Sequence, residues 1–154
     1  MFIKGSITAL VTPMNEKGDL DYDSLEKLIN YQINSGISGL VAVGTTGESA
    51  TIDFKDHIKL IEFFVKINQG RVHIIAGTGA NSTEEALHLT KEAKSAGADA
   101  ALLVSPYYNK PPQEGIYYHH MKIADEVDIP QILYNVPSRT ASFIEPETVL
   151  RLSS

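Results

Sequence analysis

Five stretches of this chain end in residues that can hold an anion or pass on a proton. They are Thr12 and Pro13, Gly44 to Glu48 (GTTGE), Gly77 to Asn81 (GTGAN), Ser105 to Asn109 (SPYYN) and Tyr134 to Arg139 (YNVPSR). Hydroxyls dominate the set, glycine lets a backbone approach a ligand closely, and adjacent free N–H groups can cradle a carboxylate or phosphate. A small anionic substrate is the natural inference. Arg139 strengthens it, because a guanidinium can grip a carboxylate through two parallel hydrogen bonds. Each element also has a plainer reading: GTTGE as a connecting turn, Tyr107, Tyr108 and Tyr134 as core or interface aromatics, and Arg139 as half of a structural ion pair.

Other chemistries find less support. GTGAN lacks the third glycine of a dinucleotide fingerprint, since Ser82 stands there, and the following acidic residue, Asp99, opens an apolar run when it should close one. His57, His73, His88, His119 and His120 show no metal-ligand spacing, so no metal site is expected, and core or surface roles suit all five. Lys110, in a proline-rich loop, reads as a solvated lysine.

The five stretches are the ends of five apolar runs: SITALVTP, GLVAVGTT, VHIIAGTG, AALLVSPYY and PQILYNVP. Nearly continuous rather than alternating, they predict parallel strands with both faces covered by helices. Between them the spacing predicts helices. The first starts at Asp21, with Leu20 and Leu25 as a hydrophobic staple, buries Tyr22, Leu25, Ile29 and Ile33, and stops at Gly36. The second runs from about Asp53 to Asn68 and closes at Gly70. The third opens on the capping-box pair Ser82 and Glu85, buries Ala86, Leu89 and Ala93, and ends at Gly97. A fourth follows Pro112 and a fifth begins near Pro146.

Strand–helix units thus repeat at intervals of roughly thirty residues. This suits a doubly wound sheet or part of a (β/α)₈ barrel, and in both architectures ligands bind at the carboxyl ends of the strands. The chain has 154 residues, 43% of them apolar, a formal charge of −6 and no cysteine. That fits one soluble domain, excludes a disulfide framework, and argues against nucleic acid or an anionic membrane as a partner. No signal peptide or membrane span is read, so the cytoplasm is expected.

Together, GTTGES, AGTGAN, PYYNKP and YNVPSRT resemble dihydrodipicolinate synthase. The likeness runs from Gly5 to Leu152. GxxGE with YNxP marks the wider superfamily of pyruvate-dependent aldolases, and Arg139 within SRT narrows it. The resemblance implies a (β/α)₈ TIM barrel of the α/β class, of which residues 1–154 would form roughly the first five strand–helix units. It implies a lyase that condenses pyruvate with L-aspartate 4-semialdehyde through a lysine Schiff base, without cofactor, in a homo-oligomer built as a dimer of dimers.

By that resemblance Tyr134 donates and accepts protons, linked through Thr45 to Tyr108 of a neighbouring subunit. Thr46 binds the pyruvate carboxylate and Arg139 that of the semialdehyde. Ser49, Ala50, His57, Asn81, Glu85 and Tyr107 correspond to a lysine-effector cleft found in inhibited members. Two departures stand out: Phe54, where those members often carry a histidine, and Ala141, in place of a glycine. None of the ten lysines ends an apolar strand where the Schiff-base lysine belongs. The expectation is therefore an N-terminal part of a longer enzyme, with that lysine on the next strand. A related aldolase acting on sialic acid or a sugar acid, and an inactive barrel fragment with an interaction role, are the alternatives.

Overall fold

The computed structural model describes residues 3–154. In chain order it contains β1 (Ile7–Ala9), α1 (Tyr22–Asn34), β2 (Gly39–Ala42), α2 (Phe54–Asn68), β3 (His73–Gly77), α3 (Thr83–Ala96), β4 (Ala100–Val104), α4 (Gln113–Glu126), β5 (Gln131–Tyr134), α5 (Pro137–Thr140) and α6 (Pro146–Leu152). Two single 3₁₀ turns, Thr45–Gly47 and Ser49–Thr51, lie between β2 and α2.

All five strands are parallel, and their order across the sheet is their order in the chain. That decides between the two predicted architectures. Parallel crossovers are right-handed, so crossovers that always step the same way put every helix on one face. A doubly wound sheet must reverse direction once, and this one does not. Its singly wound order is that of a barrel wall. Successive helices pack on one another along it, α1 on α2, α2 on α3, α3 on α4 and α4 on α6.

The expectation that helices cover both faces is thereby corrected. Leu40 and Ala42 of β2, with Ile74 and Ala76 of β3, meet Leu25 and Ile29 of α1 and Leu60, Ile61 and Phe64 of α2. Further along, Ala101 and Leu103 of β4 meet Ala86 and Leu87 of α3 and Ile123 of α4. Val41, Ile75 and Ala100 form a separate apolar cluster with Ile7, Leu102 and Ile132, where strand residues cover one another without helices. Both faces are apolar because two different surfaces cover them. The interior strand β2 is buried throughout, whereas every residue of β5, at the sheet edge, is only half-buried.

The helix ends follow local chemistry. The Asp21 carboxylate accepts from the Ser24 N–H at 2.9 Å and from its hydroxyl at 2.6 Å, which satisfies a free donor of the first turn. Leu20 and Leu25 join the same core cluster. Ser82 Oγ accepts from the Glu85 N–H at 3.4 Å, and Gly97 ends α3 in the left-handed conformation (φ +96°). The stop of α2 differs from expectation: Gln69 takes the left-handed cap (φ +50°), and Gly70 follows it.

Three of the histidines are core residues. His119 and His120 of α4 are buried, with ring centroids 5.1 Å apart. Only His119 Nδ1 has a partner, the Thr83 hydroxyl at 2.9 Å. Burial holds His119 neutral, its pKa lowered to about 4, and burial together with its neighbour lowers His120 to about 3. His57 is the third, and it lies behind the site described next.

Candidate active site

The apolar run of β2 ends at Ala42, and the chain then turns sharply. Gly47 N–H donates to the Gly44 carbonyl at 3.0 Å and Glu48 N–H to that of Thr45 at 3.1 Å, which closes a 3₁₀ turn over Thr45 and Thr46. A clamp from the first strand end holds this turn, because the buried Thr12 hydroxyl donates to the Gly47 carbonyl at 2.7 Å. Behind it, His57 Nε2 donates to the Gly77 carbonyl at 2.7 Å. Burial lowers the His57 pKa, and this hydrogen bond works against the fall. Thr45 is half-buried and Thr46 exposed, so the two neighbouring hydroxyls meet different surroundings.

The segment after β5 is built otherwise. Arg139 lies on the one-turn helix α5, which Pro137 opens with its fixed φ. Ala141 ends that helix at φ +54°, a left-handed position that explains why glycine suits it. Side chains tie the segment back. Asn135 donates through Nδ2 to the Ile144 carbonyl at 3.2 Å and accepts the Ile144 N–H at 3.1 Å. Thr140 Oγ1 donates to the Ser142 carbonyl and Ser142 Oγ to that of Pro106, both at 2.8 Å. The last bond joins the Arg139 segment to the loop that carries Tyr107 and Tyr108.

Between these two segments lies a cleft of about 300 Å³, lined among others by Thr45, Ser49, Tyr107, Arg139 and Thr140. Arg139 is exposed and pairs with no carboxylate among the described residues. Tyr134 closes β5, paired in register with Val104, a wall of the same cleft. Thr46 shares the turn with Thr45 but does not line the cleft. Tyr108 does not line it either, and is 87% exposed with its backbone at φ +74°. No hydrogen bond joins Thr45, Tyr108 and Tyr134 among the described residues.

A second, smaller cleft of about 50 Å³ is lined by Ser49, Ala50, Phe54, His57, Glu85 and Tyr107, among others. Ser49, Ala50 and Tyr107 also line the first, so the two share a wall. Burial, then the charge of Glu85, raises the Tyr107 pKa. Phe54 stacks on His88 at 5.1 Å. Asn81 is not in this wall; its carbonyl accepts from Asn109 Nδ2 at 3.3 Å. Asp99 lies at the opposite rim of the sheet, its carboxylate accepting from the Ile74 N–H at 2.8 Å, far from any strand end that could bind a nucleotide. No group of acidic or histidine side chains suited to a metal occurs among the described residues, and no helix there is long and apolar enough to cross a membrane.

Comparison with known proteins gives this geometry a relative. Residues 2–154 match the dihydrodipicolinate synthetase family. The chain belongs to that family. It is 61% identical over 152 residues to the 4-hydroxy-tetrahydrodipicolinate synthase of Pseudomonas putida, covering 99% of this chain and 52% of that one. To the namesake enzyme of a Psychrobacter species it is 60% identical, covering 98% and 50%. Among solved structures, the chloride-inhibited dihydrodipicolinate synthase of Acinetobacter baumannii, complexed with pyruvate, matches with a TM-score of 0.98 at 53% identity, covering 99% of this chain and 53% of that one. The Cyanidioschyzon merolae enzyme with lysine bound matches at 0.95 and 41%, covering 98% and 52%.

The chain therefore spans about half the length of the curated relatives it matches. The fold read from the sequence, five strand–helix units of a (β/α)₈ barrel, is the fold found. Some residues of the site carry no individual role in the sequence reading, although all but Ser142 lie inside the motifs. Thr140 and Glu48 line the cleft, and Asn135 and Ser142 hold its second segment in place. Asn135 falls inside YNVP and is legible there as polar, but its role as a two-way backbone clamp needs Ile144, nine positions on.

Proposed function

We propose that this chain is the N-terminal part of a 4-hydroxy-tetrahydrodipicolinate synthase, a lyase that condenses pyruvate with L-aspartate 4-semialdehyde. The observation that carries the reading is the strand-end cleft where the threonine turn faces Arg139, which pairs with no carboxylate among the described residues. In the intact enzyme a lysine on the next barrel strand adds to the ketone of pyruvate and expels water. The imine then loses a methyl proton to give the enamine that attacks the aldehyde. This chain supplies the rest. Thr46 and its N–H hold the pyruvate carboxylate, Arg139 holds that of the semialdehyde, and Tyr134 moves protons through Thr45 and Tyr108, a relay worth about 10² to 10⁴ in rate.

The exposure of Tyr108 supports its assignment to a neighbouring subunit's site, hence a homo-oligomer arranged as a dimer of dimers, acting in the cytoplasm. The second cleft is the place for a lysine effector, with Glu85 for its amino group. Phe54 puts an apolar ring in that wall, and weak inhibition is expected. Borohydride tests the central claim: with pyruvate, the intact enzyme should gain the mass of one reduced pyruvate adduct per subunit. An unchanged mass rules out the Schiff base, and faster cleavage of sialic acid than condensation of the semialdehyde assigns the enzyme to the related lyases.

A further inference from the structure

Val43 stands between β2 and the threonine turn in a conformation that valine rarely takes. Its φ is +53°, and a β-branched residue there is strained, because the side chain crowds the following carbonyl. Strain of this kind persists only where surrounding structure enforces it. Here the enforcement is visible. The Val43 side chain is 1% exposed and belongs to the core cluster of α1, α2 and β3, so it cannot rotate out. Its carbonyl and the next Cα lie directly against Gly77: a Cβ on Gly77 would stand 2.4 Å from Val43 O, 2.8 Å from Val43 C and 2.9 Å from Gly44 Cα.

Gly77 has no left-handed φ of its own. It ends an ordinary strand, and only the proximity of the neighbouring turn demands a residue without a side chain. Its carbonyl is fixed in turn by His57. At the far end Gly47 is also tight, since a Cβ there would stand 3.1 Å from both Leu10 O and Thr12 Oγ1. Thr45 and Thr46 are thus suspended between two close backbone contacts. An extended Val43 would carry the chain onward along the sheet, and both hydroxyls would leave their places at the strand end.

We propose that Val43 and Gly77 are positioning residues for carboxylate binding: the left-handed valine throws the chain off β2, and the bare face of Gly77 sets how far it swings. The inference rests on the reading of this turn as the pyruvate carboxylate site. Gly77→Ala must displace Val43 and Gly44. Val43→Ala keeps the backbone strain, while Val43→Gly removes almost the same side-chain volume and relieves it.

In the intact enzyme, Gly77→Ala should raise the KM for pyruvate about tenfold or more, with the KM for the semialdehyde nearly unchanged. Val43→Gly should raise the pyruvate KM severalfold above that of Val43→Ala, while unfolding at the same or higher urea concentration. Should Gly77→Ala not fold, the comparison at Val43 decides alone. Equal pyruvate KM values for Val43→Ala and Val43→Gly overturn the proposal, as does a folded Gly77→Ala variant that binds pyruvate like the parent. Failure of borohydride to trap pyruvate on the unsubstituted enzyme is a different result, and it removes the functional reading beneath both.

Discussion

The cleft has two walls that reach the same end by opposite means. The turn after β2 is held by close backbone approach: buried Thr12 and His57 grip carbonyls from either side, and glycines stand where a methyl group would collide. The segment after β5 is held by side-chain hydrogen bonds, from buried Thr140 and Ser142 and from more exposed amides, Asn135 and Gln113, that brace the return to α6. One wall leaves no room for an added atom at its glycines, while the other is set by side-chain hydrogen bonds that a substitution can change one at a time. The proposed division of labour matches, since pyruvate's carboxylate calls for a fixed seat and a longer aldehyde for an arm that can be retuned.

Acid should separate the walls most strongly. His57, His119 and His120 are all buried with lowered pKa values, so the unfolded chain binds protons more readily than the folded one. Their contribution to stability is complete above pH 6.5, the ordinary histidine value, and is lost as pH falls toward about 4 and about 3 for His119 and His120. A series of urea midpoints should be flat at neutral pH and decline steadily below 6.5. Hydrogen exchange in that range should rise first behind the β2 turn and in α4; earlier exchange in the Asn135 segment, whose clamps do not titrate, would contradict the contrast.

Arg139→Ala tests the wall after β5. Loss of a charged hydrogen-bond pair is worth about 10- to 100-fold in kcat/KM for the semialdehyde, with the pyruvate KM unmoved in steady-state assays. Thr12→Val on the wall after β2 strands the buried Gly47 carbonyl and should cost about 1–3 kcal/mol in denaturant unfolding. Asn135→Ala removes two bonds, but water can replace them at an exposed position, and about 0.5–1.5 kcal/mol is expected. If the second loss exceeds the first, the distinction between the walls fails. The smallest effect has the opposite sign: Ala141→Gly relieves a left-handed alanine, and thermal unfolding should show a gain of roughly 0.5 kcal/mol.

Much of this is legible in the residues. The caps at Asp21 and Ser82 and the stop at Gly97 can be read locally because their partners lie within four positions. The motifs GTTGES and YNVPSRT locate both walls of the cleft. Winding direction cannot be read, since five apolar runs fit sheets covered by helices on one face or two, and only the strand order separates them. The helix at Pro137–Thr140 escapes because one turn is too short for a periodic signal. Val43 escapes for a different reason: a valine at the end of an apolar strand reads as more strand, and the turn that its reversed φ starts packs against Gly77, thirty-four positions away.

The plain order of the sheet bears on how such a chain is made. Each strand pairs with the strand synthesised just before it, so a segment leaving the ribosome meets a template already waiting and need not search among later ones. Closure entropy is then met in small instalments of about one strand–helix unit. Every emerging strand covers the exposed edge left by its predecessor, so the growing end is the only bare edge the nascent sheet gains as it lengthens.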